Sequence, residues 1–163
     1  MLRLIGASCV AASVMLAGRK RVRTVRAEAS RVRALRDGVS ALRTLVLFRR
    51  LRLGDCFAEL SQDRLFSVLS RSVEERPGEN LTVLFSEALE AENEIPERAK
   101  KPLLSLAPAL ESADTAAQEQ SFSQTAAELT ALLSELEQTL CVRCREITVL
   151  SVCTALVLAI LLL

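Results

Sequence analysis

The sequence predicts an all-α protein, an elongated helical bundle with two long antiparallel helices that continue into N- and C-terminal transmembrane segments. Two observations support this fold class. Apolar residues recur at steps of three and four along two long stretches, and no alternating strand pattern with turn signals occurs. In addition, 50% of the residues are hydrophobic and the mean hydropathy is +0.29. These values are high for a soluble domain and indicate membrane segments at the two uncharged ends.

The first predicted element is a transmembrane segment over residues 1–18. Leu4 to Gly18 is a run of 15 uncharged residues, and residues 19–38 then carry eight basic and two acidic side chains. Such a basic block resists translocation, so we expect it to hold the following chain in the cytoplasm. A cleaved signal peptide is the alternative for this segment, although no clear pair of small residues closes the uncharged run.

A long amphipathic first helix is predicted to follow the basic block. Its apolar positions step by three or four residues and form one stripe: Val22, Val25, Ala29, Val32, Leu35, Val39, Leu42 and Val46. Residues 1–52 hold 13 basic and 2 acidic side chains, a net charge of +11, while residues 53–163 hold 8 basic and 18 acidic side chains, a net charge of −10. The chain is therefore basic in its first third and acidic in the remainder.

Short helices are predicted between residues 55 and 110. After a break over residues 49–54, Asp55 is a candidate N-cap for a helix that runs to about Ser70. Residues 74–80 are predicted to form a loop around Pro77 and Gly78, with Asn80 as the N-cap of the next helix. That helix has an apolar face at helical spacing, made of Leu81, Leu84, Phe85, Ala88 and Leu89.

Prolines punctuate the next part of the chain. Pro96 and Pro102 are expected to lie in a connection, and a short apolar helix carrying Leu103, Leu106 and Leu110 should follow it. Pro108 is expected to bend this short helix or end it early.

The last predicted helix is the most regular and runs into the second transmembrane segment. Its apolar stripe is made of Phe122, Ala126, Leu129, Leu133, Leu136, Leu140, Cys144 and Ile147. As helices, residues 19–50 would extend about 48 Å and residues 112–146 about 52 Å, so they fit as an antiparallel pair of matched length and opposite charge. From Ile147 to Leu163 there are 17 uncharged residues, roughly 25 Å of helix, the short end of what a bilayer requires.

The charges beside the two uncharged ends predict one topology. Arg143 and Arg145 precede the second segment, and the basic block follows the first. Both place residues 19–146 on the cytoplasmic side. The predicted organisation is a transmembrane segment at 1–18, a cytoplasmic helical domain at 19–146 and a transmembrane segment at 147–163, with the cell membrane as the location.

The composition argues against an enzyme. There is no His, Trp or Tyr, so the commonest general base and most zinc and iron sites are excluded. Cys141-x-x-Cys144 has metal-ligand spacing, but neither a second Cys pair nor a His accompanies it. We expect no cofactor, no metal and no small-molecule substrate. Five Phe are too few to stack bases, so nucleic acid is not expected, and the basic block after a membrane segment instead suits anionic lipid headgroups.

Several short motifs resemble the stage III sporulation protein AB family. The opening MLRLIGA, with Gly18 before a basic run, is similar to the start of that family, and the similarity continues with Arg33-Ala34-Leu35 through Leu42. Further similar features occur in order along the chain: Phe57-Ala58-Glu59-Leu60, then Leu84-Phe85 with Ala88-Leu89, and finally Leu106-x3-Leu110-x3-Asp114-x3-Gln118. The resemblance covers essentially the whole chain in order, length and topology.

The resemblance implies a specific function. Members of this family are membrane proteins of endospore-forming bacteria, with a helical domain similar to the cytoplasmic domain of the type II secretion platform protein. They belong to the channel complex that connects the mother cell to the forespore, in the mother-cell membrane around the forespore. The resemblance implies a secretion-type ATPase and other membrane proteins of the channel complex as partners. A generic membrane-anchored coiled-coil scaffold or dimerisation protein is the alternative. A membrane enzyme is a further class, which would need a cofactor or metal site that the sequence does not show.

The surplus of positive charge on the first helix suggests where such an ATPase would bind. Six carboxylates on the last helix cannot neutralise all of its arginines, so some positive surface should remain free. The candidate contact residues are Arg31, Arg33, Arg36, Arg49, Arg50 and Arg52.

Overall fold

The computed structural model describes the backbone of residues 2–162. It describes the side chains of residues 20, 22–142, 144–147, 149, 150 and 153. Six α-helices and one π-helical turn make up this part of the chain. They are α1 (Leu2–Arg43), the π-helical turn (Thr44–Phe48), α2 (Leu53–Glu59), α3 (Arg64–Glu75), α4 (Leu81–Ala91), α5 (Glu97–Glu111) and α6 (Thr115–Leu162).

Every regular element across residues 2–162 is helical, which confirms the predicted all-α class. The helices divide into two units: one comprises Met1–Ala29 and Ser134–Leu163, and the other comprises Ser30–Leu133. The second unit contains the end of α1, the four short helices and the beginning of α6. It holds most of the buried side chains that the structure describes, and it is the helical core of the protein.

Within the described residues, no helix has a stretch that is both long and apolar enough to cross a membrane. Nearly all side chains of the predicted transmembrane segments at 1–18 and 147–163 lie outside the described residues, so these two segments stay predictions.

The apolar stripe predicted for the first helix is confirmed from Ala29 to Leu42, whereas its outer members Val22, Val25 and Val46 are half-buried. Ala29, Val32, Leu35, Val39 and Leu42 are all buried, and the residues between them are mostly exposed. Alanine, leucine and arginine, which are good helix formers, dominate this segment of α1. The helix widens into the π-helical turn, and the chain then breaks over residues 49–52 before α2 begins at Leu53. The predicted break at 49–54 is therefore right to within two residues.

The prediction of one helix from Asp55 to about Ser70 is wrong, because two helices occupy this range. The N-cap of α2 is Arg52, and α2 ends at Glu59. A turn separates it from α3, whose N-cap is Asp63. The Asp63 carboxylate accepts a hydrogen bond of 2.9 Å from the Leu65 N–H, which satisfies one of the unpaired donors of the first turn.

Asn80 caps α4 as predicted, since its side-chain oxygen accepts a hydrogen bond of 2.8 Å from the Thr82 N–H. The preceding turn includes Gly78 at a φ of +91°, a conformation that glycine adopts without steric cost. The Leu81 N–H, a second donor of this first turn, is bound by the Glu111 carboxylate. Glu111 at the end of α5 thus satisfies a backbone donor at the start of α4. The predicted buried face of α4 is confirmed, with all five of its residues buried.

Pro102 lies inside α5, so its prediction as part of a connection is wrong. The helix begins at Glu97, after Pro96, and runs past Pro102 although this proline cannot donate to the Arg98 carbonyl. Packing overrides that loss: Pro102 is buried, and its own carbonyl accepts a hydrogen bond from the buried Thr125 hydroxyl at 3.3 Å. The helix also continues through Pro108 and ends at Glu111, so Pro108 does not end it early, and the predicted bend stays a prediction.

The apolar stripe of α6 is buried in its first half. Phe122, Leu129 and Leu133 are buried, whereas Leu136 and Leu140 are half-buried. Cys144, which the spacing places on the same stripe, is exposed rather than part of a core.

Three phenylalanines form the centre of the second unit. The Phe57 ring stacks on Phe66 with a centroid distance of 6.3 Å and meets Phe85 edge to face at 6.0 Å. Gly38 on α1 approaches the same cluster, because a Cβ atom at this position would lie 2.5 Å from Cε2 of Phe66. A side chain at position 38 would therefore collide with a buried ring, so the close packing of α1 on α3 depends on this glycine.

Candidate partner-binding surface

The six arginines predicted as partner contacts lie in three different environments. Arg31, Arg33 and Arg36 lie on α1, and Arg49, Arg50 and Arg52 lie in the connection that follows the π-helical turn. Burial and ion pairing separate a structural arginine from those whose guanidinium groups face solvent.

Arg31 is bound inside the second unit. Its Nη1 lies 2.6 Å from Oδ2 of Asp63, and its Nη2 lies 3.1 Å from Oδ1 of Asp63 and also pairs with Oε1 of Glu92. Only 15% of the Arg31 side chain and 4% of the Glu92 side chain are exposed. A planar guanidinium suits this arrangement because it can bind one carboxylate bidentately and a second one at the same time.

The three charges connect separate helices. Asp63 is the N-cap of α3 and Glu92 directly follows α4, so Arg31 joins α1 to the start of one helix and the end of another. Burial lowers the pKa of the Arg31 guanidinium, but its hydrogen bonds and charge interactions with Asp63 and Glu92 outweigh burial and raise the pKa above its ordinary value. Arg31 therefore stays charged, and its guanidinium is engaged by its own chain.

Arg33 and Arg36 lie on the solvent side of α1. Arg33 is exposed, and Arg36 pairs with its neighbour Asp37 at 2.7 Å. Asp37 is 61% exposed, so this pair is held in water and is weak. A partner could replace Asp37 at little cost.

The last three arginines surround a backbone irregularity. Arg49 is paired with Glu59 on α2 at 3.2 Å from both carboxylate oxygens. Arg50 has a φ of +52°, the only positive φ of a non-glycine residue among the described residues. Arg50 and Arg52 are exposed, and no carboxylate of the described residues lies within ion-pair distance of either. These two guanidinium groups are available to another molecule.

Sequence reasoning missed Phe48, which lies directly before these arginines. It ends the π-helical turn and is 76% exposed, whereas Leu45 in the same turn is buried. A signal was present in the sequence, since position 48 lies six residues after Leu42 and so falls off the apolar stripe. We call Phe48, Arg50 and Arg52 the Phe–Arg segment.

The cysteines and carboxylates are weaker candidates for a functional site than the arginines. Among the described residues, no group of three His, Cys, Asp or Glu side chains is arranged to hold a metal ion. Cys56 is buried, and burial together with the Asp55 and Glu59 charges raises the pKa of its thiol, which keeps it protonated and unreactive. Cys141 and Cys144 are exposed on α6.

The comparisons with known proteins give one family. The model of the stage III sporulation protein AB family matches residues 3–163, which is essentially the whole chain. No curated protein and no solved structure matches the chain.

Proposed function

The chain belongs to the stage III sporulation protein AB family, which implies a role in sporulation, and from this premise we propose that it is a membrane-anchored platform. In this proposal it is an assembly component of the secretion-like channel complex between the mother cell and the forespore. The observation that carries the proposal is the family match over residues 3–163, because it includes both ends of the chain as well as the helical core.

The two ends supply the membrane anchors of the proposal. Leu4 to Gly18 and Ile147 to Leu163 are uncharged, and the basic block at residues 19–38 and the pair Arg143 and Arg145 border them. Positive charge next to a membrane segment marks its cytoplasmic side. The proposed location is thus the mother-cell membrane around the forespore, with residues 19–146 in the cytoplasm and in contact with anionic lipid at the membrane surface.

The helical domain supplies the platform. We propose that α1 and α6 form the long antiparallel pair of an elongated bundle, each continuing into its anchor. Within the second unit, the ion pair of 2.6 Å between Arg43 near the end of α1 and Glu119 near the start of α6 supports this pairing. The partly exposed pair adds little free energy, so the buried apolar stripes of both helices would provide most of the stability.

The proposed activity is binding rather than catalysis. A domain without His, anchored at both ends, acts by holding a partner at the membrane. The family's similarity to secretion platforms makes a secretion-type ATPase the proposed cytoplasmic partner, along with membrane proteins of the channel complex. Neither a nucleic acid nor a small-molecule substrate is part of the proposal.

Co-purification from sporulating cells tests this function. The full-length chain with an affinity tag, extracted in mild detergent from membranes of sporulating cells, should retain a secretion-type ATPase, identified by mass spectrometry. The matched control is an unrelated tagged membrane protein expressed at the same level. A chain that retains only copies of itself would contradict the platform proposal and favour the generic coiled-coil scaffold or dimerisation protein.

A further inference from the structure

We propose that the Phe–Arg segment is the contact through which this chain binds its ATPase. Phe48 would enter an apolar recess of the ATPase, and Arg50 and Arg52 would pair with carboxylates beside that recess. The inference rests on the proposed function, because it names the surface that a platform protein would use. It restricts the contact to three of the described residues in the second unit.

Phe48 is the first observation that supports the contact. At 76% exposure, it is the most exposed of the large hydrophobic side chains that the structure describes, while the other described Phe residues of the second unit are buried. A phenylalanine that becomes buried on association contributes a large apolar area at a small cost in side-chain entropy. In the free chain, the exposed Phe48 side chain does not contribute to the stability of the fold.

The backbone that presents Phe48 is ordered by specific bonds. The Arg49 N–H donates to the Thr44 carbonyl at 3.3 Å, and the Leu51 N–H donates to the Leu45 carbonyl at 3.4 Å. The exposed Arg49–Glu59 ion pair connects the same segment to α2 and adds only little to this order. Because the segment is held before association, binding needs little further ordering and loses less free energy.

The local geometry is also unfavourable by itself. A π-helical turn is uncommon, and an arginine with a φ of +52° is in a region that side chains with a Cβ rarely adopt. Such features occur frequently at binding and catalytic sites, where the rest of the structure holds them in place. Here both features occur within three residues and orient the same exposed side chains.

The charges identify the kind of partner. Arg50 and Arg52 are exposed and lack an ion pair with the described residues, so both guanidinium groups are free to pair with carboxylates of a bound molecule. Residues 49–59 hold three arginines but also Asp55 and Glu59, a net charge of only +1. Lipid surfaces and nucleic acids are bound by clusters of many basic residues without interspersed carboxylates. A mixed pattern with an apolar centre instead fits a protein surface, where Arg and aromatic residues dominate the binding energy.

Photocrosslinking in the full-length, membrane-bound chain tests the contact. A benzophenone introduced as Phe48→p-benzoylphenylalanine should form an adduct with the ATPase in sporulating cells. The matched control is Val83→p-benzoylphenylalanine, since Val83 is the other exposed large hydrophobic residue described in the second unit and lies on α4. The control position should form no adduct with the ATPase.

Two variants measure how much Phe48 and the two arginines each contribute to binding of the ATPase. Phe48→Ala should reduce the co-purified ATPase about tenfold or more, as expected for a central anchor of an interface. The double variant Arg50→Glu, Arg52→Glu should reduce it by at least as much, and recovery of the wild-type complex should decrease as salt is raised. Because all three side chains are exposed, the variants should fold like the wild-type chain.

The outcomes separate this inference from the function on which it rests. If the wild-type chain retains the ATPase and both variants retain it equally well, the inference is wrong and the platform proposal stands. If position 48 forms adducts only with lipid or with a second copy of the chain, the inference is also wrong. If the wild-type chain retains no ATPase at all, the proposed function itself fails and the inference fails with it.

Discussion

Replacing Arg31 by methionine should lower the free energy of unfolding by about 3–5 kcal/mol, because it leaves two carboxylates unpaired in a low-dielectric environment. Arg31 is the only ion-pair partner that the described residues provide for Asp63 and Glu92. Glu92 is affected most, since its side chain is nearly inaccessible to solvent. In a fragment spanning residues 19–146, Arg31→Met should lower the melting temperature by roughly 10 °C or more. Circular dichroism during heating measures this change.

Two matched variants test whether the effect of Arg31 on stability comes from the burial of its ion pairs or from its charge alone. Arg36→Met removes the exposed pair with Asp37 and should change stability by less than about 1 kcal/mol. The double variant Arg31→Met, Glu92→Gln removes one of the two unpaired charges and should recover part of the loss. Equal melting temperatures for Arg31→Met and Arg36→Met would show that Arg31 does not connect the helices in the way described.

Replacing Phe57 by alanine should be similarly damaging, at about 3–5 kcal/mol. Phe57 is fully buried and contacts both Phe66 and Phe85, so its removal leaves a cavity at the junction of α2, α3 and α4 and removes two aromatic contacts. Chemical denaturation of the same fragment measures the change. The size of the loss depends on how far the neighbouring rings can move into the space.

Phe48→Ala is the matched control for Phe57→Ala. The chemical change is the same, but Phe48 is exposed and has no packing to lose, so stability should change by less than about 0.5 kcal/mol. If both variants unfolded at the same denaturant concentration, the aromatic centre assigned to the second unit would be wrong.

Local patterns predicted the helices where the signal lies within one element. The stripe from Ala29 to Leu42 and the cap at Asn80 depend only on spacing and residue type, and the structure confirms both. The errors occur where distant residues decide. Asp63 fits an exposed helix position as well as an N-cap, and its ion pair with Arg31, 32 residues away in the chain, is not visible in local spacing.

Contacts between distant residues also explain why local patterns do not predict the environments of Pro102 and Arg31. The hydrogen bond from the Thr125 hydroxyl to the Pro102 carbonyl joins residues 23 positions apart, so local sequence does not reveal it. Considered alone, a proline predicts the end of a helix. Arg31 looked like the other arginines of a basic helix, because periodicity does not reveal which of them meets a buried carboxylate. The position of Phe48 off the apolar stripe is visible in the sequence, but the π-helical turn that presents its side chain is not, because no residue type marks such a turn.

We propose that both ends anchor the chain in the membrane and hold the helical domain in the cytoplasm. Cysteine labelling tests it most directly, and the structure determines where the probe should be. The natural Cys56 is buried and would not react in the folded chain. Ser61, in the turn between α2 and α3, is exposed, so Ser61→Cys adds a reactive thiol with little change in size.

In the full-length Ser61→Cys chain, produced in non-sporulating cells so that it inserts into the outer cell membrane, a membrane-impermeant maleimide should leave position 61 unlabelled in intact cells and label it after permeabilisation. The chain without the substitution provides the background from its own exposed cysteines. The chain should also remain in the membrane fraction after extraction at alkaline pH. Labelling of position 61 from outside intact cells, or release of the chain by alkaline extraction, would contradict the account.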